Sequence, residues 1–119
     1  MNKVVKVIFA ILLVSGIFAC KNNTNTASVA NAKTVKFMVS GNCEQCQARI
    51  EKALAIDGVG KANWDVDSKI MTVVYDSVKV KDTDLHHAIA VAGHDTEREK
   101  AADKDYAALP ECCQYTRTK

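Results

Sequence analysis

Two cysteines three residues apart, Cys43 and Cys46, are the residues of this 119-residue chain whose types and spacing are best suited to chemistry. They follow a short alternating run and open a segment, residues 47–55, that has the pattern of an amphipathic helix. The positive end of a helix dipole favours a thiolate over a thiol. Two thiolates at that position can bind a soft metal ion or exchange disulfides.

A structural disulfide is a poor explanation for this pair. It would close a loop too short to remove much entropy from the unfolded chain. Two thiolates on one turn can instead hold Cu(I) or Hg(II) nearly linearly. Zn(II) prefers four ligands, so it would need Cys112, Cys113 or His94 as well, supplied by a tail that folds back.

The adjacent pair Cys112 and Cys113 lies near the C-terminus, in the tail formed by residues 101–119. A disulfide between neighbouring residues would be strained. We therefore interpret these two cysteines as additional metal thiolates or as partners in a redox-sensitive bridge, and the sequence leaves both interpretations open.

The first twenty residues have the layout of a secretory signal. Lys3 and Lys6 precede an uncharged segment that is too short to cross a bilayer as a helix. The run Ile17-Phe18-Ala19-Cys20 is similar to the bacterial lipobox, and the resemblance implies that Cys20 becomes acylated. We expect an exported protein that a lipid anchor holds at the periplasmic face of a bacterial membrane.

Residues 1–19 are then a lipoprotein-type signal peptide, and residues 20–32, rich in Asn, Thr, Ser and Ala, are a flexible tether. Without the signal, the chain has equal numbers of basic and acidic residues. No dense basic cluster remains in the mature part, so nucleic acid is not an expected partner.

Between residues 33 and 100 the patterns follow the order β-α-β-β-α-β. Apolar alternation predicts strands at 34–39, 61–66 and 70–75, and a second helix is expected from Asp82 or Thr83 to Ala92. The charged segment 94–100 can form only a weak edge strand. The order predicts an α+β class, a ferredoxin-like sandwich with a four-stranded antiparallel sheet and two helices on one face. The expected core is Val35, Phe37, Val39, Ile50, Leu54, Val59, Trp64, Val66, Met71, Val73, Tyr75, Leu85 and Ile89.

The run from residue 33 to residue 100 resembles a heavy-metal-associated (HMA) domain. This is the module of copper chaperones, of the N-terminal regions of copper-transporting P-type ATPases and of the periplasmic mercuric-ion binding protein. The family carries G-M-x-C-x-x-C between its first strand and first helix, where this chain has Gly41-Asn42-Cys43-Glu44-Gln45-Cys46. The resemblance implies metal binding by Cys43 and Cys46. Gly93-His94 occupies the position of a family glycine and of a residue that faces the metal loop, which makes His94 a candidate auxiliary ligand.

Two departures from the family pattern concern the site itself. The loop before the first cysteine is one residue shorter, and the family methionine is absent, so its packing beneath the loop must be made otherwise or lost.

Of the three histidines, His86 and His87 are expected at the surface. For His94, a metal ligand and an exposed residue after the helix are both open interpretations.

The leading functional hypothesis is a metallochaperone or scavenger that binds a soft metal ion and is not an enzyme. Cu(I) is the favoured ion, with Hg(II) and Zn(II) as alternatives, and the expected partner is a metal-transporting ATPase or an efflux protein. A sensor or accessory domain of an efflux pump would use the same site. The competing hypothesis is a periplasmic thiol-disulfide oxidoreductase. It is disfavoured because thioredoxin-like folds place a cis-proline opposite the dithiol, whereas the single proline here is Pro110, in the tail.

Overall fold

A computed structural model of the protein describes residues 29–118. The predicted signal peptide, Cys20 and most of the predicted tether lie outside these residues. Within residues 29–118, none of the helices has the length and apolar surface that crossing a bilayer would require. The elements are β1 (Ala32–Met38), α1 (Glu44–Ala53), β2 (Val59–Trp64), β3 (Ile70–Asp76), α2 (Asp82–Val91) and α3 (Asp103–Ala107), followed by a 3-10 turn (Glu111–Cys113).

The three strands form an antiparallel sheet in the order β1-β3-β2. Met71 pairs with Phe37 on one side and with Trp64 on the other, so these three side chains lie on the same face of the sheet. All three are buried, while their strand neighbours Lys36 and Asn63 are exposed. One face of the sheet is therefore apolar and the other is polar, as the alternation in the sequence predicts.

The core forms where α1 and α2 pack on the apolar face. Most of the predicted core residues are buried, whereas Val35, Val59 and Val66 are only half-buried at its edge. The buried apolar side chains of the sheet and the two helices are Phe37, Val39, Cys46, Ile50, Leu54, Trp64, Met71, Val73, Tyr75, Leu85, Ile89 and Ala90. Three residues of the C-terminal tail, Leu109, Cys113 and Tyr115, belong to the same core.

The predicted fourth strand is not confirmed within residues 29–118, where the segment after α2 makes one isolated bridge, between Val39 and Thr96. The bridge lies on the edge of β1 opposite β3: Ser40 N–H donates to Asp95 O at 2.8 Å, and Val39 N–H donates to Lys69 O. The pairing ends at Glu97, whose N–H donates to Met38 O at 3.2 Å. The Thr96 hydroxyl accepts the N–H of Glu99 at 3.0 Å, and the Thr96 N–H donates to Glu99 O, so the backbone turns here.

The first helix begins earlier than predicted. Cys43 is its N-cap in an extended conformation, and Glu44 is its first residue, so Cys46 lies in the first turn. The second helix begins at Asp82 and ends at Val91, with Ala92 as its C-cap, and the following residue, Gly93, has a φ of +101°. A Cβ on Gly93 would come within 2.9 Å of Leu109, so glycine both ends the helix and admits the tail.

Candidate metal centre

The two cysteines of the C-x-x-C sequence lie side by side at the start of α1. Their Sγ atoms are 3.8 Å apart; Cys43 is half-buried and Cys46 is fully buried. The backbone N–H of Asn42 donates to Cys46 Sγ at 3.3 Å, so the loop before the helix holds the inner sulfur in place. The pair thus consists of one accessible sulfur and one buried sulfur that lie close enough to bind one ion.

The local backbone favours the thiolate of Cys43. The N–H of Cys46 is the largest influence and lowers the pKa of the Cys43 thiol. The N–H of Gln45 and the thiols of Cys46 and Cys112 act in the same direction, while burial opposes them. The accessible sulfur is therefore the one that loses its proton more easily than an ordinary cysteine, which suits it to metal capture and exchange.

Trp64 supplies the packing beneath the shortened loop. A Cβ on Gly41 would lie 2.8 Å from the tip of the Trp64 ring and 3.1 Å from Cys46 Cβ, so the loop backbone rests directly on the indole. The indole Nε1–H donates to Val39 O at 3.1 Å and to Lys69 O at 3.2 Å, which fixes the ring at the end of β1. The position needs glycine because of this close approach.

The C-terminal tail folds back onto this loop and brings its two cysteines to the first pair. The Sγ atoms of Cys43, Cys112 and Cys113 all lie within 4.8 Å of one another, and those of Cys112 and Cys113 are 3.9 Å apart. Cys112 is exposed, and its thiol donates to Gln45 Oε1 at 2.8 Å. Its carbonyl accepts contacts from Asn42 Nδ2 at 3.5 Å and from the Cys43 thiol at 3.6 Å.

Cys113 is the enclosed member of the tail pair. It is fully buried. Burial, and after it the neighbouring Cys46 and Cys112 thiols, raise the pKa of the Cys113 thiol well above its usual range. Each pair therefore consists of one accessible and one buried cysteine, and the Cys43 sulfur is close both to Cys46 and to the two tail sulfurs.

Tyr115 fastens the tail to the segment after α2. Its hydroxyl accepts the N–H of Asp95 at 2.7 Å and donates to Gly93 O at 3.0 Å, and its ring stacks on His94 with centroids 5.7 Å apart. Burial raises the pKa of its phenol, so the hydroxyl keeps its proton. Tyr106 of α3 packs edge-on against this ring and donates its hydroxyl to Tyr115 O at 2.5 Å.

An ion pair closes the tail two residues further on. The Arg117 guanidinium donates to both carboxylate oxygens of Asp95, at 2.9 and 3.1 Å, and to Ala101 O at 2.6 Å. Burial acts to raise the pKa of Asp95, but hydrogen bonds from Arg117 and from the Ala101 N–H outweigh it, and the pKa lies below its usual range. The pair is bidentate and largely shielded from water, which makes it a strong anchor.

His94 is fully buried, so the interpretation of this residue as an exposed one is wrong. Its Nδ1 is 2.8 Å from Ser40 O, and because a carbonyl only accepts, Nδ1 carries the proton. Burial lowers the pKa of the ring, against the hydrogen bond to Ser40, which raises it. The neutral ring leaves Nε2 with a free lone pair, buried and without a partner among the described residues. His94 is not among the three residues whose ligand atoms lie within 4.8 Å of one another, and its role as a ligand stays a prediction.

The other two histidines, His86 and His87, differ in their exposure to solvent. His87 is exposed, as predicted, and lies 2.8 Å from Glu99. His86 is buried, so the prediction of a surface position is wrong for it. Its Nδ1 is 2.7 Å from the Thr96 hydroxyl and its ring contacts Phe37, with centroids 4.1 Å apart. It helps to hold the turn that follows the bridge to β1.

Comparison with known proteins bears on this geometry. Residues 36–95 match the family described as the heavy-metal-associated domain. The chain belongs to the HMA family. The match includes the C-x-x-C sequence and ends at Asp95, so Cys112, Cys113 and the anchoring residues of the tail lie beyond it. No curated protein matches the chain.

Solved structures resemble the HMA part of the chain. A structure described as "CopZ metallochaperone" is 32% identical, with a TM-score of 0.52, covering 54% of this chain and 98% of its own. Oxidized MerP from Ralstonia metallidurans CH34 is 28% identical, with a TM-score of 0.53 and coverages of 56% and 94%. The N-terminal domain of a potential copper-translocating P-type ATPase from Bacillus subtilis is 30% identical, with a TM-score of 0.52 and coverages of 55% and 84%. The similarity supports the ferredoxin-like fold of the HMA domain.

Sequence reasoning did not identify Tyr115 and Arg117, which hold the tail in place. A signal for them exists in the sequence. Cys113, Tyr115 and Arg117 alternate with the exposed residues Gln114 and Thr116, which is the period of an extended segment with one side against a core. The prediction of residues 101–119 as a tail did not use this alternation of buried and exposed positions.

Proposed function

We propose that the protein binds one soft metal ion, with Cu(I) as the favoured cargo, through Cys43 and Cys46 and passes it on by thiolate exchange. The observation that carries the proposal is the pair of sulfur atoms 3.8 Å apart at the N-terminus of α1, one accessible and one buried. Soft thiolates select Cu(I) over harder ions. Membership of the HMA family and likeness to a metallochaperone and to an ATPase domain support it.

Transfer would follow the difference in exposure within the pair. An incoming thiolate of an acceptor forms a new metal–sulfur bond first, and the bond to Cys43 then breaks, because this sulfur is the more accessible. Cys46, enclosed beneath Asn42, keeps the ion until a second acceptor sulfur replaces it. Each step exchanges one metal–sulfur bond for another, so the ion is never free and no oxidation state changes.

The N-terminal sequence supports a location for this activity at a membrane surface. A lipid on Cys20 would hold the domain at the periplasmic face of a membrane, with the tether as a spacer. The acceptor or donor would be a metal-transporting ATPase or an efflux protein. Hg(II) is the first alternative cargo, since the MerP structure is similar over the HMA part of the chain, and Zn(II) is the second.

Competition with a chromophoric Cu(I) chelator under anaerobic conditions tests the proposal. The wild-type chain should remove one Cu(I) from the chelator, and the Cys43→Ser/Cys46→Ser variant should lose this ability. Tight binding by the double variant would refute the dithiolate site. Catalytic turnover in a disulfide reduction assay, lost in the same variant, would instead favour a thiol-disulfide oxidoreductase.

A further inference from the structure

Two cysteine pairs from distant parts of the chain meet at one point. Cys43 is common to both groupings, because it lies 3.8 Å from Cys46 and within 4.8 Å of both tail sulfurs. The HMA match covers the first pair and not the second, so the tail pair is a feature of this chain beyond the family module.

The spacing of the sulfur atoms favours more than two ligands. With metal–sulfur bonds of about 2.3 Å, two sulfurs on opposite sides of an ion would be about 4.6 Å apart, whereas sulfurs at tetrahedral angles would be about 3.8 Å apart. The sulfurs within the two pairs are 3.8 and 3.9 Å apart. Both pairs are thus close enough for their sulfurs to share one ion with further sulfurs.

The tail is fixed at the site through several kinds of contact. Cys113 is fully buried and Tyr115 is buried with both of its hydroxyl hydrogen bonds made. Cys112, which lies between the loop and solvent, is held by its thiol on Gln45 and by its carbonyl near Asn42. A segment anchored on both sides of its cysteines places their sulfurs with little entropy left to lose on metal binding.

We propose that the C-terminal tail completes the metal centre, with Cys112 and Cys113 joining Cys43 in a centre of three or more thiolates. The inference rests on the proposed function, since it adds ligands to the same ion. When the ion binds, each coordinating thiol releases its proton to solvent and forms one metal–sulfur bond. The tail then acts as a retaining strap: an acceptor thiolate first replaces the bond to Cys112, the exposed ligand, and the exchange at Cys43 follows.

X-ray absorption of the Cu(I)-loaded full chain tests the number of sulfur ligands. The chain carries Cys20→Ser so that this thiol cannot contribute. The expected result is three or more sulfur neighbours in this protein and two in the Cys112→Ser/Cys113→Ser variant, whose Cu(I) affinity should fall at least tenfold. Because Cys113 is buried, circular dichroism should show that the variant is folded, and Cys112→Ser alone, at an exposed position, should give the same direction of change.

Controls separate this inference from the proposed function. Thr116→Ala changes an exposed residue of the same tail and leaves all four thiols, so its affinity should equal that of the parent chain. Two sulfur neighbours in the parent chain, with unchanged Cu(I) affinity in both tail cysteine variants, would refute ligation by the tail. That result would still agree with a site formed by Cys43 and Cys46. Full affinity in the Cys43→Ser/Cys46→Ser variant would overturn the proposed function itself.

Discussion

Replacing Tyr115 with phenylalanine removes one oxygen atom and two hydrogen bonds, one accepted from Asp95 N–H at 2.7 Å and one donated to Gly93 O at 3.0 Å. The ring keeps its packing against His94 and Tyr106. A hydrogen bond contributes about 1 kcal/mol net, and a buried N–H left without a partner costs about 1–3 kcal/mol. We expect Tyr115→Phe to lower the free energy of unfolding by about 2–3 kcal/mol.

Thermal unfolding of reduced, metal-free protein measures this loss. For a domain of this size, 1 kcal/mol corresponds to roughly 4–8 °C, so the midpoint should fall by roughly 8 °C or more. Native-state hydrogen exchange should show faster exchange at the Asp95 amide. Tyr75→Phe is the matched control, because Tyr75 is equally buried and its hydroxyl makes no hydrogen bond within residues 29–118. A midpoint within about 2 °C of wild type, with the Asp95 amide unchanged, would refute the role of Tyr115 as anchor.

Three further predictions concern the loop and the anchor. In reduced, metal-free protein, an alkylating reagent should modify Cys43 first and Cys113 last, since the pKa of Cys43 is lowered and Cys113 is buried; equal rates by mass spectrometry would contradict this. The pKa of Asp95 is lower in the folded state than its ordinary value of about 3.9, so its stabilising contribution is present above about pH 4 and is lost as the pH falls through the folded value. Urea unfolding followed by Trp64 fluorescence should therefore show a steeper acid loss of stability in wild type than in Asp95→Asn, and parallel curves would count against the ion pair. Gly41→Ala should destabilise the protein by about 1–3 kcal/mol because its methyl group would overlap Trp64, and an unchanged urea midpoint would show that the loop can move.

The strands and helices that position the C-x-x-C pair were largely predictable, because each has its own local pattern. Phe37, Trp64 and Met71 are buried where alternation places them, and the C-cap of α2, Ala92, is followed by a glycine. The first residue of α1 was harder to predict from the sequence. Cys43 is an N-cap without a side-chain hydrogen bond, so no Ser, Thr, Asp or Asn marks the true start of the helix.

The long-range parts of the site were not predictable from local patterns. The fourth strand is limited to one bridge, and beyond Glu97 the Thr96 hydroxyl accepts the N–H of Glu99, a local contact that strand propensity does not register. The burial of His86 and His94 involves partners that are distant in sequence. His86 Nδ1 is hydrogen-bonded to the Thr96 hydroxyl, 10 residues away, and His94 Nδ1 donates to Ser40 O, 54 residues away. The approach of Cys112 to Cys43 depends on Tyr115 and on an ion pair across the fold, and the sequence alone left the tail's pairing open.

The position of the tail over the Cys43–Cys46 loop bears on how an acceptor would compete for the proposed ion. If Cys112 is a ligand, as proposed above, it competes from within the same molecule, because the folded tail holds its sulfur within 4.8 Å of that of Cys43. An internal group held in this way has an effective concentration of about the millimolar range. An acceptor present at about 1 µM would be outnumbered roughly a thousandfold at the ion, equivalent to about 4 kcal/mol. Release would therefore require an acceptor that also docks on the protein surface or displaces the tail. A free thiol of low molecular weight would extract the ion only at comparably high concentration.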